Sequence, residues 1–286
     1  MKMVWQSKLV LLMVLPFVGA SLVLQTHWWA VNSWPVAAWA VGLSVLLGLV
    51  VLKLHAATPG AAVAGTAITA CLMFSTANFP YEPWRTALIP VLAVSLLAWV
   101  STRLGREKKE RLGTAERQGG RTASQVAANL GVAAILSEEL VQSWLADTGR
   151  FSRVTVAPVP MFAVGLAALA EAAADTVSSE VGQVLGGRPR MMTTLREVEP
   201  GTDGAISLAG SAAGLIAAGI VAAAGTLALD GDLRMFCISS SGGVFGLAFD
   251  SLLGATLERR GWLNNDAVNF LSTGSAAAFA LGVMAI

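Results

Sequence analysis

The sequence predicts an all-α, polytopic transmembrane helical bundle of about nine helices with its N-terminus in the cytoplasm. Three observations carry this. Of the 286 residues, 55% are hydrophobic and only 13% charged, too apolar for a soluble domain and too long for one or two anchors. The apolar residues fall into stretches that approach the roughly 20 needed to cross a bilayer core. Lys and Arg then divide unequally between the intervening loops, as expected when positive side chains resist translocation.

Taken in order, the predicted spans are 9–25, 35–55, 60–78, 86–101, 125–146, 158–175, 204–229, 233–257 and 267–286. The first follows Lys2 and Lys8 and passes Ala20, where a signal peptide would end, so it is expected to remain as an uncleaved helix. No Ser- and Arg-rich transit segment precedes it, which points to a bacterial plasma (inner) membrane. With the N-terminus inside, fifteen of the nineteen Lys and Arg residues become cytoplasmic, and only Arg85, Arg150, Arg153 and Arg234 face out. The Trp-rich turn at His27, Trp28, Trp29 and Trp34, and the segment with Tyr81 and Trp84, suit an aromatic belt at the outer interface. Residues 1–58 are expected to form N-terminal transmembrane helices, and 59–286 a membrane-embedded functional domain. The glycines of the last spans, among them Gly210, Gly214, Gly243 and Gly246, allow close helix approach in lipid.

Composition also excludes. A net charge of +1 offers nothing to nucleic acid. Cys71 and Cys237 lie in apolar stretches without a CxxC pair, and are expected as reduced, buried thiols. His27 and His55 are isolated.

Three polar elements fall on the predicted cytoplasmic face. The first, residues 103–129, is a positive-inside anchor up to Arg111; beyond it, Gly119, Gly120, Arg121, Thr122 and Asn129 suit an anion-binding turn at a helix N-terminus. The second begins with Glu171 and Asp175, four apart and on one helix face near the inner end of the sixth span, and continues through Thr176, Ser179 and Glu180 to Arg190 and Thr194. A charge deep in the membrane costs about 2.5–3.5 kcal/mol on insertion scales. Two acids there need a metal, water or an ion-pair partner. The third is Asp250 in the eighth span, followed by Glu258, Arg260, Asn264, Asn265 and Asn269. Asp250 reads as functional or as hydrogen-bonded to a small-residue helix, and the Asn cluster as part of a site or as a helix cap.

Carboxylates for Mg²⁺, arginines and Gly/Thr/Ser loops at a membrane surface suit phosphoryl or nucleotidyl transfer to a lipid-borne acceptor. There is no GxSxG elbow, Walker A sequence or Cys/His pair. A histidine base is unnecessary if the acceptor is a phosphate monoester, whose second pKa is about 6.

At these residues the chain resembles the domain-of-unknown-function family 92 membrane proteins, which include the plastid phytyl-phosphate kinase. The similarity spans roughly residues 50–286 and is carried by 120–129, 174–182, 189–204, 250–256 and the Trp262, Leu263, Asn264, Asn265, Asp266 run. Two departures are Leu130, where the family often has Gly, and Glu258, where it often has Gln. The resemblance implies phosphorylation of a prenyl monophosphate to the diphosphate by CTP or ATP with Mg²⁺. It implies Asp175, Glu180 and Asp250 as catalytic residues that hold metal and phosphates; Glu171, paired with Asp175 on one helix face, is a further expected metal ligand. Arg121, Asn129, Thr176, Ser179, Arg190, Thr194, Arg260, Asn264, Asn265 and Asn269 would bind substrate and phosphate. The rival readings are a cytidylyltransferase making a CDP-lipid, and a membrane transporter or scaffold. Homo-oligomerisation is left open.

Overall fold

In lipid each backbone N–H and C=O must be satisfied within its own segment, so the apolar runs have little alternative to helix. The computed structural model describes residues 4–115, 119–147 and 158–285. The runs become α1 (Trp5–Asn32), α2 (Trp34–Lys53), α3 (Pro59–Ser75), α4 (Leu88–Arg103), α5 (Arg106–Leu112), α6 (Ala123–Ser137), α7 (Glu139–Asp147), α8 (Pro158–Leu185), α9 (Leu208–Ala228), α10 (Leu233–Leu253) and α11 (Asn265–Met284). A π turn, Gly254–Glu258, extends α10. A short antiparallel hairpin pairs β1 (Arg190–Met191) with β2 (Ala205–Ile206). Lys2, Arg117, Arg150 and Arg153, counted in the charge partition, lie outside the described residues.

The chain is an integral membrane helical bundle. Among the described residues, six helices are long and apolar enough to span, or seven if α4 and α5, bent by 66° at Leu104 and Gly105, make one. α3 and α6 are apolar but shorter. Helix starts follow local chemistry: Thr58, Ser207, Asp232 and Asn264 each accept a backbone N–H in the first turn. Thr122 and Gln125 close a capping box at α6. Such caps contribute about 1 kcal/mol each.

α8 is the central helix. It packs against α4, α6, α9, α10 and α11, and 89% of its apolar window is buried, against 17% for α1 and 28% for α2. A helix apolar all round belongs inside other helices, and the run Met161, Phe162, Ala163, Val164 and Leu166 to Ala170 meets that description. The outward faces of α1, α2, α4 and α9 instead expose Leu12, Leu49, Leu96 and Ile216 to the bilayer.

Two boundaries depart from the sequence reading for physical reasons. The sixth span was expected to end at 175, where acids begin; α8 runs ten residues further, to Leu185, because protein and not lipid surrounds it. Glu171 and Asp175 therefore lie mid-helix, not near its end. The fifth span, expected as one helix over 125–146, breaks at Ser137 and Glu138 into α6 and α7. There the Glu138 carboxylate turns to α1 and accepts from the Ser21 hydroxyl and the Gln25 amide.

Long-range bonds sort the loops between two ends. Gln6 donates to Trp262 O and Ser7 to Asp266, Arg103 donates to Leu54 O, and Lys108 to Val184 O. These contacts gather the N-terminus and the loops after α2, α4, α8 and α10 at one end. At the other, Trp29 meets Phe79 at 6.0 Å between ring centroids and Arg85 pairs with Asp230. Both cysteines are free, but Cys237 is exposed on α10, contrary to the buried pair expected.

Candidate functional site

The site forms where α8 meets α10 at the end that gathers the basic loops. Glycines set the helix spacing. A Cβ on Gly246 would stand 2.5 Å from Glu171 Cγ, and one on Gly243 2.8 Å from Ala170 Cβ, so these positions of α10 admit no larger residue beside α8. On the adjoining face of α8, where α9 packs, a Cβ on Gly214 would meet Ala174 O and Leu247 Cδ2 of α10, both at 2.9 Å. Close packing of α10 brings the Asp250 and Asp175 carboxyls within side-chain hydrogen-bonding reach of one another. Glu171, 1% exposed, lies one turn deeper, beside Ser272 of α11, whose hydroxyl donates to Asn269 O. Asp250 Oδ1 and Glu171 Oε1 are buried, and among the described residues neither finds a hydrogen-bond partner.

Opposite the acids stands Arg121. The turn before it uses Gly120 at φ 75°, where a Cβ would come within 2.2 Å of the Ala56 carbonyl carbon. This lets the backbone lie flat along the end of α2, with Arg121 N donating to Ala56 O and Thr58 N to Arg121 O. Thus fixed, the guanidinium reaches α8, where Nη2 donates to Thr176 Oγ1 at 3.1 Å and its charge acts on Asp175. Asn129 of α6 is buried and accepts from Asn269 Nδ2 of α11 at 2.9 Å. Both residues were chosen on sequence for this region, and the structure joins them.

The acidic line extends outward. Glu258, on the π turn, interacts with Asp175 and Asp250, and with Asp203 in the hairpin loop. Partial burial pushes the Asp203 carboxyl up, opposed by the Arg259 guanidinium. The hairpin is seated by glycine against glycine: a Cβ on Gly204 would stand 2.0 Å from Ala255 N, and one on Gly254 2.7 Å from Gly204 N.

Other expected residues lie elsewhere. Glu180 is drawn to Lys109 Nζ, and accepts from Thr102 as well; that lysine was read on sequence only as part of a basic anchor. Ser179 is exposed and donates to Thr176 O in its own helix. Arg190 and Thr194 stand exposed on the hairpin, Asn265 is exposed at the start of α11, and exposed Arg260 lies 5.9 Å from the Trp262 ring centroid. Asn264 caps α11 and donates to Ser7. Sequence reasoning did not pick out Ser272 or Asp203. The signal for Ser272 was its place one turn after Asn269 on a helix start rich in polar residues; Asp203, between turn glycines, carried none.

Beside Arg121 opens a cavity of about 370 Å³ between α2, α3, α4 and α6, touching α8 at Ala172. Its wall is mostly apolar at depth, with Thr66, Thr69, Ser95 and Asn129 among the lining residues, and cationic at the mouth, where Arg103, Arg106 and Arg121 meet beside His55.

Among the described residues, no three His, Cys, Asp or Glu side chains are grouped to cage a metal ion. Mg²⁺ ordinarily takes only one or two carboxylates, with water and substrate oxygens completing its octahedron. Asp175 with Asp250, whose Oδ1 is buried and unpartnered, fits that smaller requirement.

The fold and this acid and arginine cluster define a polytopic α-helical membrane protein with a polar site inside its bundle. The chain belongs to the family of integral membrane proteins called DUF92, which it matches over residues 42–277. It is 32% identical over 214 residues to an uncharacterised membrane protein of Synechocystis, covering 71% of this chain and 75% of that protein. To one of Methanocaldococcus jannaschii it is 43% identical over 108 residues, 38% of this chain and 45% of the other. To the chloroplast protein VTE6 of Arabidopsis thaliana it is 28% identical over 207 residues, 68% of this chain and 59% of the plant protein. The chain thus spans less than two thirds of the archaeal and plant proteins. No solved structure matches it.

Proposed function

We propose that the protein phosphorylates a prenyl monophosphate of the phytyl or geranylgeranyl type to the diphosphate, with a nucleoside triphosphate as donor and Mg²⁺, at the cytoplasmic face of the plasma membrane. The observation that carries this reading is the paired Asp175 and Asp250, with a buried partnerless oxygen, facing Arg121 at the mouth of an apolar cavity. Carboxylates alone repel a phosphate, and an arginine alone binds any anion; both beside an apolar cavity suit an anionic headgroup on a hydrocarbon chain. Membership of a family that resembles the plastid phytyl-phosphate kinase supports the acceptor, and the excess of Lys and Arg on the loops of this end supports its facing the cytoplasm.

In this reading Asp175 and Asp250 hold Mg²⁺, which when bound neutralises charge on the nucleotide phosphates. Arg121, held by Thr176, takes the acceptor phosphate and offsets the charge that spreads over the transferred group. The Asn129 and Asn269 pair offers polar atoms without net charge beside it. The acceptor is largely dianionic at neutral pH and attacks without a protein base. An acceptor oxygen bonds to the terminal phosphorus of the donor as its bridging P–O bond breaks, and the nucleoside diphosphate leaves with the electron pair. Exposed Arg190 and Arg260 meet the donor from outside. Glu180 has no ligand role in this reading, which leaves its carboxylate paired with Lys109.

The test is product analysis with purified protein, Mg²⁺, labelled CTP or ATP and geranylgeranyl monophosphate. Prenyl diphosphate with nucleoside diphosphate is expected, and its loss in Asp175→Asn. Pyrophosphate with a nucleotidyl lipid would replace this reading by cytidylyl transfer, and no turnover of any prenyl phosphate would overturn it in favour of transport.

A further inference from the structure

We infer that the cavity between α2, α3, α4 and α6 is the binding slot for a single-chain isoprenoid tail, and that Gly65 and Ala98 set the chain length accepted. The inference rests on the function proposed above and adds where the tail lies.

Its lining changes character along its length. At depth it is walled by Leu47, Gly65, Val91, Val94, Ala98 and Leu130. Of the hydroxyls on this wall, Thr66 donates to Ser44 O and Thr69 to Gly65 O; Ser95, Asn129 and Trp99, whose Nε1 has no partner among the described residues, are isolated polar points in a lining that is otherwise apolar. From Val91 to Arg103 the slot follows twelve residues of α4, about 18 Å of helix rise, which suits an extended chain and not a compact ligand.

The mouth is built for an anion. Arg103 stacks over the Trp99 ring at 4.3 Å and donates to Leu54 O at 2.8 Å, so its guanidinium is held in place beside Arg106 and the Gly119 and Gly120 turn. Arg121 belongs both to this mouth and, through Thr176, to the acid pair. A phosphate bound between Arg103 and Arg121 thus stands next to Asp175 while its tail runs down α4. Ala172, the residue after Glu171, is the point at which α8 touches the slot.

Gly65 is where the slot can be narrowed with least damage to the bundle. A Cβ there meets only Val126 Cγ1, at 3.7 Å, an ordinary contact; at Gly48, across the slot, it would meet Thr66 Oγ1 at 2.2 Å. A larger side chain at Gly65 therefore meets Val126 of α6 at ordinary contact distance and grows into the slot that both residues line.

The experiment uses the full chain in lipid nanodiscs with a diazirine-bearing farnesyl monophosphate. Photolabel is expected in the α3 and α4 peptides, displaced by geranylgeranyl monophosphate and not by inorganic phosphate or phosphatidic acid. In Gly65→Leu and Ala98→Phe, binding and turnover of the geranylgeranyl compound fall about tenfold or more, and those of dimethylallyl monophosphate fall by a clearly smaller factor; Gly65→Ala falls between. Label confined to the lipid-facing side of α9, equal displacement by phosphatidic acid, or equal losses for long and short acceptors would overturn the inference. Labelling needs no turnover, so the two readings fail separately. Specific label in a protein without kinase products leaves the slot standing and removes the reaction, whereas kinase products with the slot unlabelled do the reverse.

Discussion

Lys109 Nζ and Glu180 Oε2 form an ion pair 2.5 Å long in which the lysine side chain is 1% exposed and the carboxylate 16%. The ammonium also donates to the carbonyls of Ser101 and Thr102, so all three of its protons are used. α5 is thereby bolted to α8 and to the end of α4, and the basic loop is held over the acid site.

Removing one partner strands the other. Lys109→Met is expected to cost about 3–5 kcal/mol, read as thermal unfolding in detergent, and Lys109→Met with Glu180→Leu to recover much of it. Were Glu180 a metal ligand, the double variant would lose Mg²⁺ stabilisation; it is expected to keep it.

Gly246 has no room for a methyl group. Its Cβ would crowd Glu171 Cγ, Ala276 Cβ and Ser272 O, all within 2.9 Å, so Gly246→Ala is expected to destabilise by about 1–3 kcal/mol. Gly60→Ala, whose Cβ meets only Ala123 Cβ at 3.7 Å, is its control and is expected to change stability by no more than about 0.5 kcal/mol. Equal melting temperatures for the two variants would refute the packing argument.

Metal binding can be read without turnover. Mn²⁺ as a paramagnetic stand-in for Mg²⁺ is expected to bind the parent protein and to bind Asp250→Asn and Asp175→Asn at least about tenfold more weakly. Ser179→Ala, on an exposed residue, is expected to bind as the parent does. Unchanged affinity in both aspartate variants would remove the metal from the proposed site.

Tyr81, in the loop between α3 and α4, has a buried hydroxyl with no hydrogen-bond partner among the described residues, and burial pushes its phenol from 10.0 up to about 12. The folded state therefore holds this proton more tightly than the unfolded chain. The resulting stabilisation is fully present below pH 10 and is lost as pH rises to about 12. Relative to Tyr81→Phe, the native protein is expected to lose stability across that window. At pH 7 the variant is expected to be at least as stable, since it removes an unpaired polar group. Parallel pH profiles would contradict this.

The bundle was legible because lipid leaves the backbone few choices, and apolar run length reads almost directly as helix. The central position of α8 was not: its residues 158–175 look like any other span, and only packing reveals protein on every side. That oversight misplaced the helix end, since an acid ends a lipid-facing helix but not an enclosed one. Asp175 and Asp250 could be chosen from sequence because charge at membrane depth is costly and so conspicuous, and Arg121 because it follows the Gly119 and Gly120 turn at a helix start. Lys109 could not. A lysine in a run of lysines and arginines looks solvated, and its burial follows from the turn at Gly105, which folds α5 back toward α8. Asn264 shows the opposite error: an Asn before an apolar run serves a helix start as readily as a ligand, and here it serves the helix.

The enclosure of α8 bears on how the protein is made. Its acids are tolerable only when α10 and α11 surround them, yet both lie later in the chain and leave the ribosome after it. A helix of this composition enters lipid poorly alone, each acid adding about 2.5–3.5 kcal/mol. The nascent chain must therefore keep α8 beside the earlier α4 and α6, or at the insertion channel, until the last two helices arrive. C-terminal truncation would then fail at biogenesis, leaving α8 unprotected in the membrane, before any question of catalysis arose.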